Sequence, residues 1–144
     1  MTRGEVSVEM FVPKSAADTY RNAGIILKTN DVGIGADAFV GYEIAVCPEG
    51  KHVNVGLHRN NYAPLERPAC DVVADKWCTL HVSFDENSFE IKLDGKPVTK
   101  FTDKSRDVIR SGGIGLRAWQ RHLDGETDRA GLFDSYHRTR ESRP

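Results

Sequence analysis

The chain has 144 residues, one domain's worth, enough to bury about 70% of its unfolded surface without disulfide staples. Twenty Lys and Arg against 21 Asp and Glu leave a formal charge of −1, so no basic field for nucleic acid is expected. A hydrophobic share of 39% excludes disorder, and no apolar run reaches the roughly 20 residues that span a bilayer. The N-terminus, "MTRGEVSVEM", lacks the apolar stretch of a signal peptide.

In chain order, period-two alternation dominates. Val6, Val8, Met10 and Val12 alternate with Ser7, Glu9 and Phe11. Then "PKSAADTYRNA" (13–23) could hold a helical turn, with Ser15 and Asp18 at capping-box spacing. Val53, Val55 and Leu57 alternate with Asn54, Gly56 and His58; Leu80, Val82 and Phe84 with His81 and Ser83. Phe89, Ile91 and Leu93 alternate with Glu90 and Lys92, and Asp94-Gly95 then reads as a hairpin turn. After "TDKSRDVIRSGG" (102–113), a second place for a helical turn, Ile114, Leu116 and Ala118 alternate with Gly115, Arg117 and Trp119. Half-buried antiparallel strands give this pattern, and many of them with almost no helix predict an all-β sandwich or jelly roll. A single sandwich domain is expected over 1–137, with a frayed charged tail at 138–144.

Gly33, Gly35 and Ala38 match the G-x-G-x-x-G/A spacing of a dinucleotide loop. That loop needs a helix on its last small residue to hold the pyrophosphate, and "GYEIAV" reads as a strand instead. The match is rejected. Cys78 and His81 imitate a zinc pair, but residues three apart in a strand point to opposite faces and cannot chelate one ion. Cys47, Cys70 and Cys78 are too few for a disulfide framework and read as small buried or half-buried thiols, with one disulfide left open.

Several motifs in order carry a family resemblance: "AGIILKTNDVGIGADAFVGYEIAV", "VNVGLHRNNYAPLE", "DKWCTLHVSF", "FEIKLDGKPV", "GGIGLRAW" and "LFDSY". Over roughly residues 5 to 136 the chain resembles the concanavalin A-like jelly-roll modules of secreted glycoside hydrolases. It is most similar to fructan-binding carbohydrate-binding modules and the related 3-keto-disaccharide hydrolase-like domains. The resemblance implies two antiparallel sheets, a shallow sugar pocket, an extracellular or cell-envelope setting, a neighbouring catalytic domain, and a structural calcium as an option. Lys28 and Leu57 stand where the family usually has arginine, and Tyr62, after Asn61, stands at an aromatic step. The family's first strand, partner of the C-terminal "FD" strand, is expected to be missing before Gly4, clipped or supplied by a dimer partner.

Four groups are candidates for function. Arg117 and Trp119 share the polar face of their strand, where an indole plane beside a forked donor suits a sugar. The other reading has Trp119 folded over the sandwich edge and Arg117 paired locally. In a second group, Asp37, Tyr42 and Glu43, the two carboxylates could accept from sugar hydroxyls, unless Asp37 only closes its loop and Glu43 is solvated. Arg59, Asn61, Tyr62 and Glu66, clustered after a strand end, could form a polar rim, with Arg59 replacing the family's arginine, or be plain turns. Asp124, Glu126 and Asp128 alternate in a loop that could hold calcium or be merely acidic. Trp77 is expected in the core.

No G-x-S-x-G, H-E-x-x-H or cysteine–histidine couple is present. The sequence reading is therefore non-catalytic binding of a carbohydrate, fructan by resemblance. Two alternatives remain: a 3-keto-glycoside hydrolase or lyase, which needs paired carboxylates or a metal in one pocket, and a structural appendage.

Overall fold

The computed structural model describes residues 2–14, 19–33, 37–122, 125–127 and 132–139, with backbone only for Thr19 and from residue 120 onward. Among them are eleven strands and no helix. In order they are β1 (Gly4–Phe11), β2 (Thr19–Asn30), β3 (Val40–Cys47), β4 (His52–Arg59), β5 (Tyr62–Glu66) and β6 (Trp77–Phe84). Then come β7 (Ser88–Leu93), β8 (Lys96–Thr102), β9 (Gly113–His122), β10 (Gly125–Thr127) and β11 (Leu132–Thr139). They form two antiparallel sheets, β11-β1-β6-β7-β8 and β10-β9-β2-β3-β4-β5, a concanavalin A-like jelly-roll sandwich.

Alternation puts one face of each strand inside. Val6, Val8 and Met10 of β1, Leu80 and Val82 of β6, and Phe89 and Ile91 of β7 meet Ile25 and Leu27 of β2, Ile44 and Val46 of β3 and Val53 and Val55 of β4. Burying such a face is the main source of stability, at about 25 cal/mol per Å2 of apolar surface. Asp94 and Gly95, both at positive φ (50° and 78°), close the β7–β8 hairpin as their sequence predicts.

Three expectations are corrected by this arrangement. The strand thought to be missing is β1 itself, which pairs with β11 through Val8↔Tyr136 and Met10↔Phe133. Trp77 is 48% exposed, because Cys78, Leu80, Val82 and Phe84 take the inward face of β6. Its ring packs on Phe11 outside the sandwich, centroids 5.7 Å apart. The stretch 102–113 holds no helix, and β2 already begins at Thr19; Ser15 and Asp18 lie outside the described residues.

Tyr42 is the fourth correction. It is fully buried, its ring 4.7 Å from that of Phe89 in the opposite sheet. Neighbours in a strand point to opposite faces, so Tyr42 and Glu43 cannot share a surface site. The Tyr42 hydroxyl donates to the Asp103 carboxylate and accepts from the backbone N–H of Ile109 at 3.3 Å. Burial pushes the Asp103 carboxyl up, but hydrogen bonds from Tyr42 and Ser105 outweigh it and hold the group below its ordinary 3.8. A depressed carboxyl stabilises the fold above pH 3.8, and that contribution is lost as pH falls through the folded value. Tyr42→Phe is accordingly expected to cost about 1–3 kcal/mol at neutral pH, with the deficit shrinking below about pH 4. Urea unfolding of both proteins between pH 2.5 and 7 checks this; a deficit independent of pH would contradict it.

Lys28 is also buried, at φ 54° where a bulge interrupts β2. Its ammonium donates to the carbonyls of Asp85 (2.5 Å) and Glu86 (2.8 Å) and lies 5.2 Å from the Phe89 ring. Burial lowers its pKa to about 8. This lysine ties β2 to the β6–β7 turn of the other sheet and is turned away from the outer surface.

Candidate functional site

The outer face of the six-stranded sheet carries the site. Cross-strand pairing lines up Asn54 of β4, Ala45 of β3, Gly24 of β2 and Arg117 of β9 in one row. The pairs Val55↔Glu66 and His52↔Ala69 place Arg67 opposite Asn54, so a second arginine ends the same row. Small residues in the middle and long ones at the ends make a trough. One step along, His52 and Cys47 lie beside each other, as do Asn22 and Trp119. The resulting pocket of about 480 Å3 is lined by Tyr20, Asn22, Asp37, Glu43, His52, Asn54, Tyr62, Arg67, Arg117 and Trp119. That volume falls in the range of small-molecule sites.

At one wall Arg117 is held by two carboxylates. Its Nη1 donates to Glu43 Oε2 at 2.9 Å and its Nη2 to Asp37 Oδ1 at 3.0 Å. Behind them His58, fully buried, brings Nε2 to 2.5 Å from the same Glu43 oxygen. As a carboxylate Glu43 can only accept, so against it Nε2 of His58 is the donor, and Arg117 Nη1, 3.1 Å from the same nitrogen, gives its hydrogen to Glu43. Phe39 stacks on the imidazole (centroids 4.2 Å apart) and Tyr62 tilts against it (5.2 Å). The clamped ring fixes Glu43, and Glu43 with Asp37 fixes the guanidinium. A preorganised fork of this kind can present donors to ligand oxygens without losing rotamer freedom.

The other end is neutral and aromatic. Tyr20 and Trp119 meet edge to face, centroids 5.8 Å apart. Asn54 Nδ2 donates to the Tyr20 hydroxyl at 3.2 Å, and its Oδ1 lies 2.9 Å from His52 Nε2. Burial raises the pKa of Tyr20, Tyr62 and the Cys47 thiol, so all three stay protonated at neutral pH. Two polar atoms of the lining, Asn22 Oδ1 and the Tyr62 hydroxyl, are buried with no hydrogen-bond partner among the described residues. Such atoms are rare in finished interiors, and a ligand that satisfies them gains affinity.

Of the residues expected at a site, the fold gathers Asp37, Glu43, Tyr62, Arg117 and Trp119. It disperses the rest. Tyr42 is in the core; Arg59 pairs with Asp107, its Nη2 3.7 Å from the carboxylate and donating to the Asp107 carbonyl. Asn61 is exposed in the β4–β5 turn, where its carbonyl accepts from Arg59 N at 3.2 Å. Glu66 faces inward at the sheet edge and accepts from Thr99 Oγ1 of β8 at 2.6 Å. Asp124 and Asp128 lie outside the described residues, as does the Glu126 side chain. Tyr20, Asn22, His52, Asn54, His58 and Arg67 were missed. For Asn54 and His58 a signal existed, since both alternate with the apolar Val53, Val55 and Leu57 and so share an outer face. Arg67 follows a strand end, where no periodicity marks a face.

Comparison with curated proteins gave no match. Among solved structures the chain is similar to the carbohydrate-binding module CBM66 from Bacillus subtilis, with TM-score 0.69 and 14% identity over 96% of this chain and 75% of that one. It is also similar to sheep galectin-11, in complex with glycerol, with TM-score 0.65 and 11% identity over 96% of this chain and 91% of that one. A glycoside hydrolase family 16 endo-glucanase from Bacteroides ovatus follows at TM-score 0.58 and 15% identity, over 82% of this chain and 55% of the enzyme. Likeness at these identities is one of fold. The sequence itself matches a family over residues 1–126, and on that match the chain belongs to the 3-keto-alpha-glucoside-1,2-lyase-like domains.

Proposed function

We propose that the chain binds a carbohydrate in the trough between Arg67 and Arg117. The observation that carries this is the pairing of an aromatic wall, Tyr20 and Trp119, with a fixed polar wall, Arg117 held by Asp37 and Glu43. A sugar has an apolar C–H face and a rim of hydroxyls. The first packs on an aromatic ring; the second takes donors from Arg117 and offers hydrogens to Asp37 and to the open Asn22 oxygen. The fold shared with the carbohydrate-binding module CBM66 and with galectins supports the same reading. In this reading the chain acts outside the cell or in its envelope, alongside a glycoside hydrolase.

A second reading is favoured by the family match and by two carboxylates on one guanidinium. In a 3-keto-glycoside the ketone acidifies the hydrogen on C2. Asp37, half-exposed to the pocket, would take that proton, the electron pair would form the C1–C2 double bond, and the C1–O bond would break. The departing oxygen would leave as an alcohol by taking that proton back from the Asp37 carboxyl, which restores the carboxylate.

The test is a panel of immobilised glycans, fructans included, with calcium or chelator, using the whole chain and Trp119→Ala. Saturable, selective binding that falls about tenfold or more in the variant supports the proposal, since a stacked aromatic contributes roughly 0.5–1.5 kcal/mol in addition to the apolar area it buries. Absence of binding to every glycan by the folded chain would overturn it. Incubation with a 3-keto-glycoside, followed by mass spectrometry for the unsaturated product, decides the second reading.

A further inference from the structure

We infer that the trough is built for an acidic sugar whose anionic group lies against Arg67; this rests on the carbohydrate reading above. The two arginines at its ends are in opposite electrostatic states. Arg117 faces Asp37 and Glu43, so its charge is more than matched. Arg67 lines the same pocket, and among the described residues no carboxylate stands within ion-pair distance of it.

Next to Arg67 stands a further hydroxyl. It belongs to Tyr62 and is buried, reaching no partner at hydrogen-bonding geometry. Tyr20 lines the same pocket. A guanidinium beside a phenol hydroxyl whose hydrogen has no acceptor complements an oxyanion. The far end has the reverse need: Asn22 Oδ1 is an acceptor with no donor, and the half-exposed Asp37 is another acceptor. Hydroxyls at one end and an oxyanion at the other describe a uronic acid or a sulfated sugar.

The size agrees. Arg67 and Arg117 stand four strand spacings apart, about 19 Å between their backbones at about 4.8 Å per step. Asn54, Ala45 and Gly24 floor the gap. That leaves space for more than one ring, so an acidic residue can lie at Arg67 while its neighbour meets Arg117 and Trp119.

The experiment is calorimetry with oligosaccharides of galacturonic, glucuronic and mannuronic acid, a sulfated galactoside, and the neutral parent of each. The expected result is an acidic ligand bound at least about tenfold tighter than its neutral parent at low salt, as one charge-assisted hydrogen bond gives. The ratio should narrow as salt screens the exposed pair and should fall to near one in Arg67→Gln. The carboxylate and sulfate arms tell which oxyanion is preferred. Equal binding of acid and neutral parent, or a ratio that survives in Arg67→Gln, overturns this inference and leaves the carbohydrate reading standing. If no sugar of either kind binds, both fall together.

Discussion

Arg117→Met is expected to destabilise the chain by about 3–5 kcal/mol and to abolish ligand binding. The size follows from burial. An exposed ion pair is worth about 0–1 kcal/mol, because water competes for both partners. Here the side chains of Arg117 and Glu43 are only 11% and 6% exposed. Removing the guanidinium leaves the Glu43 carboxylate desolvated with His58 Nε2 as its remaining close donor, and Asp37 loses its partner in the same step. The double variant Arg117→Met, Glu43→Gln should regain about 1–3 kcal/mol of the loss, since a neutral amide needs no counter-charge and still accepts from His58. Urea unfolding of the four proteins in a double-mutant cycle measures the coupling, expected at about 1–3 kcal/mol. A cycle with no coupling would show that the triad is a surface arrangement, and the fixed polar wall of the site would lose its basis.

Gly24→Ala should be nearly as damaging, for a steric reason. A Cβ built on Gly24 falls 2.0 Å from the Ile44 carbonyl oxygen and 2.5 Å from Ala45 Cα. Both belong to the backbone of β3, so no rotamer change relieves the clash; β2 and β3 must part at the centre of the sheet. The cost is about 3 kcal/mol or more, at the upper end for overpacking. The same movement would tilt Arg117, which is paired with Gly24, away from Glu43. Thermal unfolding and glycan binding should therefore fail together. A stable Gly24→Ala protein that binds normally would mean that the trough floor tolerates a methyl group and that the close approach of β2 and β3 is not needed.

The strands were legible because alternation is a local property. Val6, Val8 and Met10, or Leu80 and Val82, declare an inner face whatever lies around them, and that was enough to predict a sandwich of antiparallel sheets. The same rule could have removed Tyr42 from the surface beside Glu43, and Trp77 from the core beside Cys78. In both cases the residue's usual habit was preferred to its parity in the strand. Arg117 and Trp119 were found from sequence since their strand opposes them cleanly to Ile114, Leu116 and Ala118.

What the tertiary structure alone decided is which polar faces meet. Asp37, Glu43, His58 and Arg117 come from a loop and three strands, with up to 80 positions between partners. Only the pairing of β9 with β2, far from it in sequence, brings Arg117 to Glu43. The reach of Arg67 across from Arg117 depends likewise on the order in which β5, β4, β3, β2 and β9 lie side by side. Hydrophobic periodicity fixes the face of each strand, because burial acts residue by residue. Sheet order is set by long-range pairing, in which each strand chooses among several partners of equal pattern, and no local signal in this chain carries that choice.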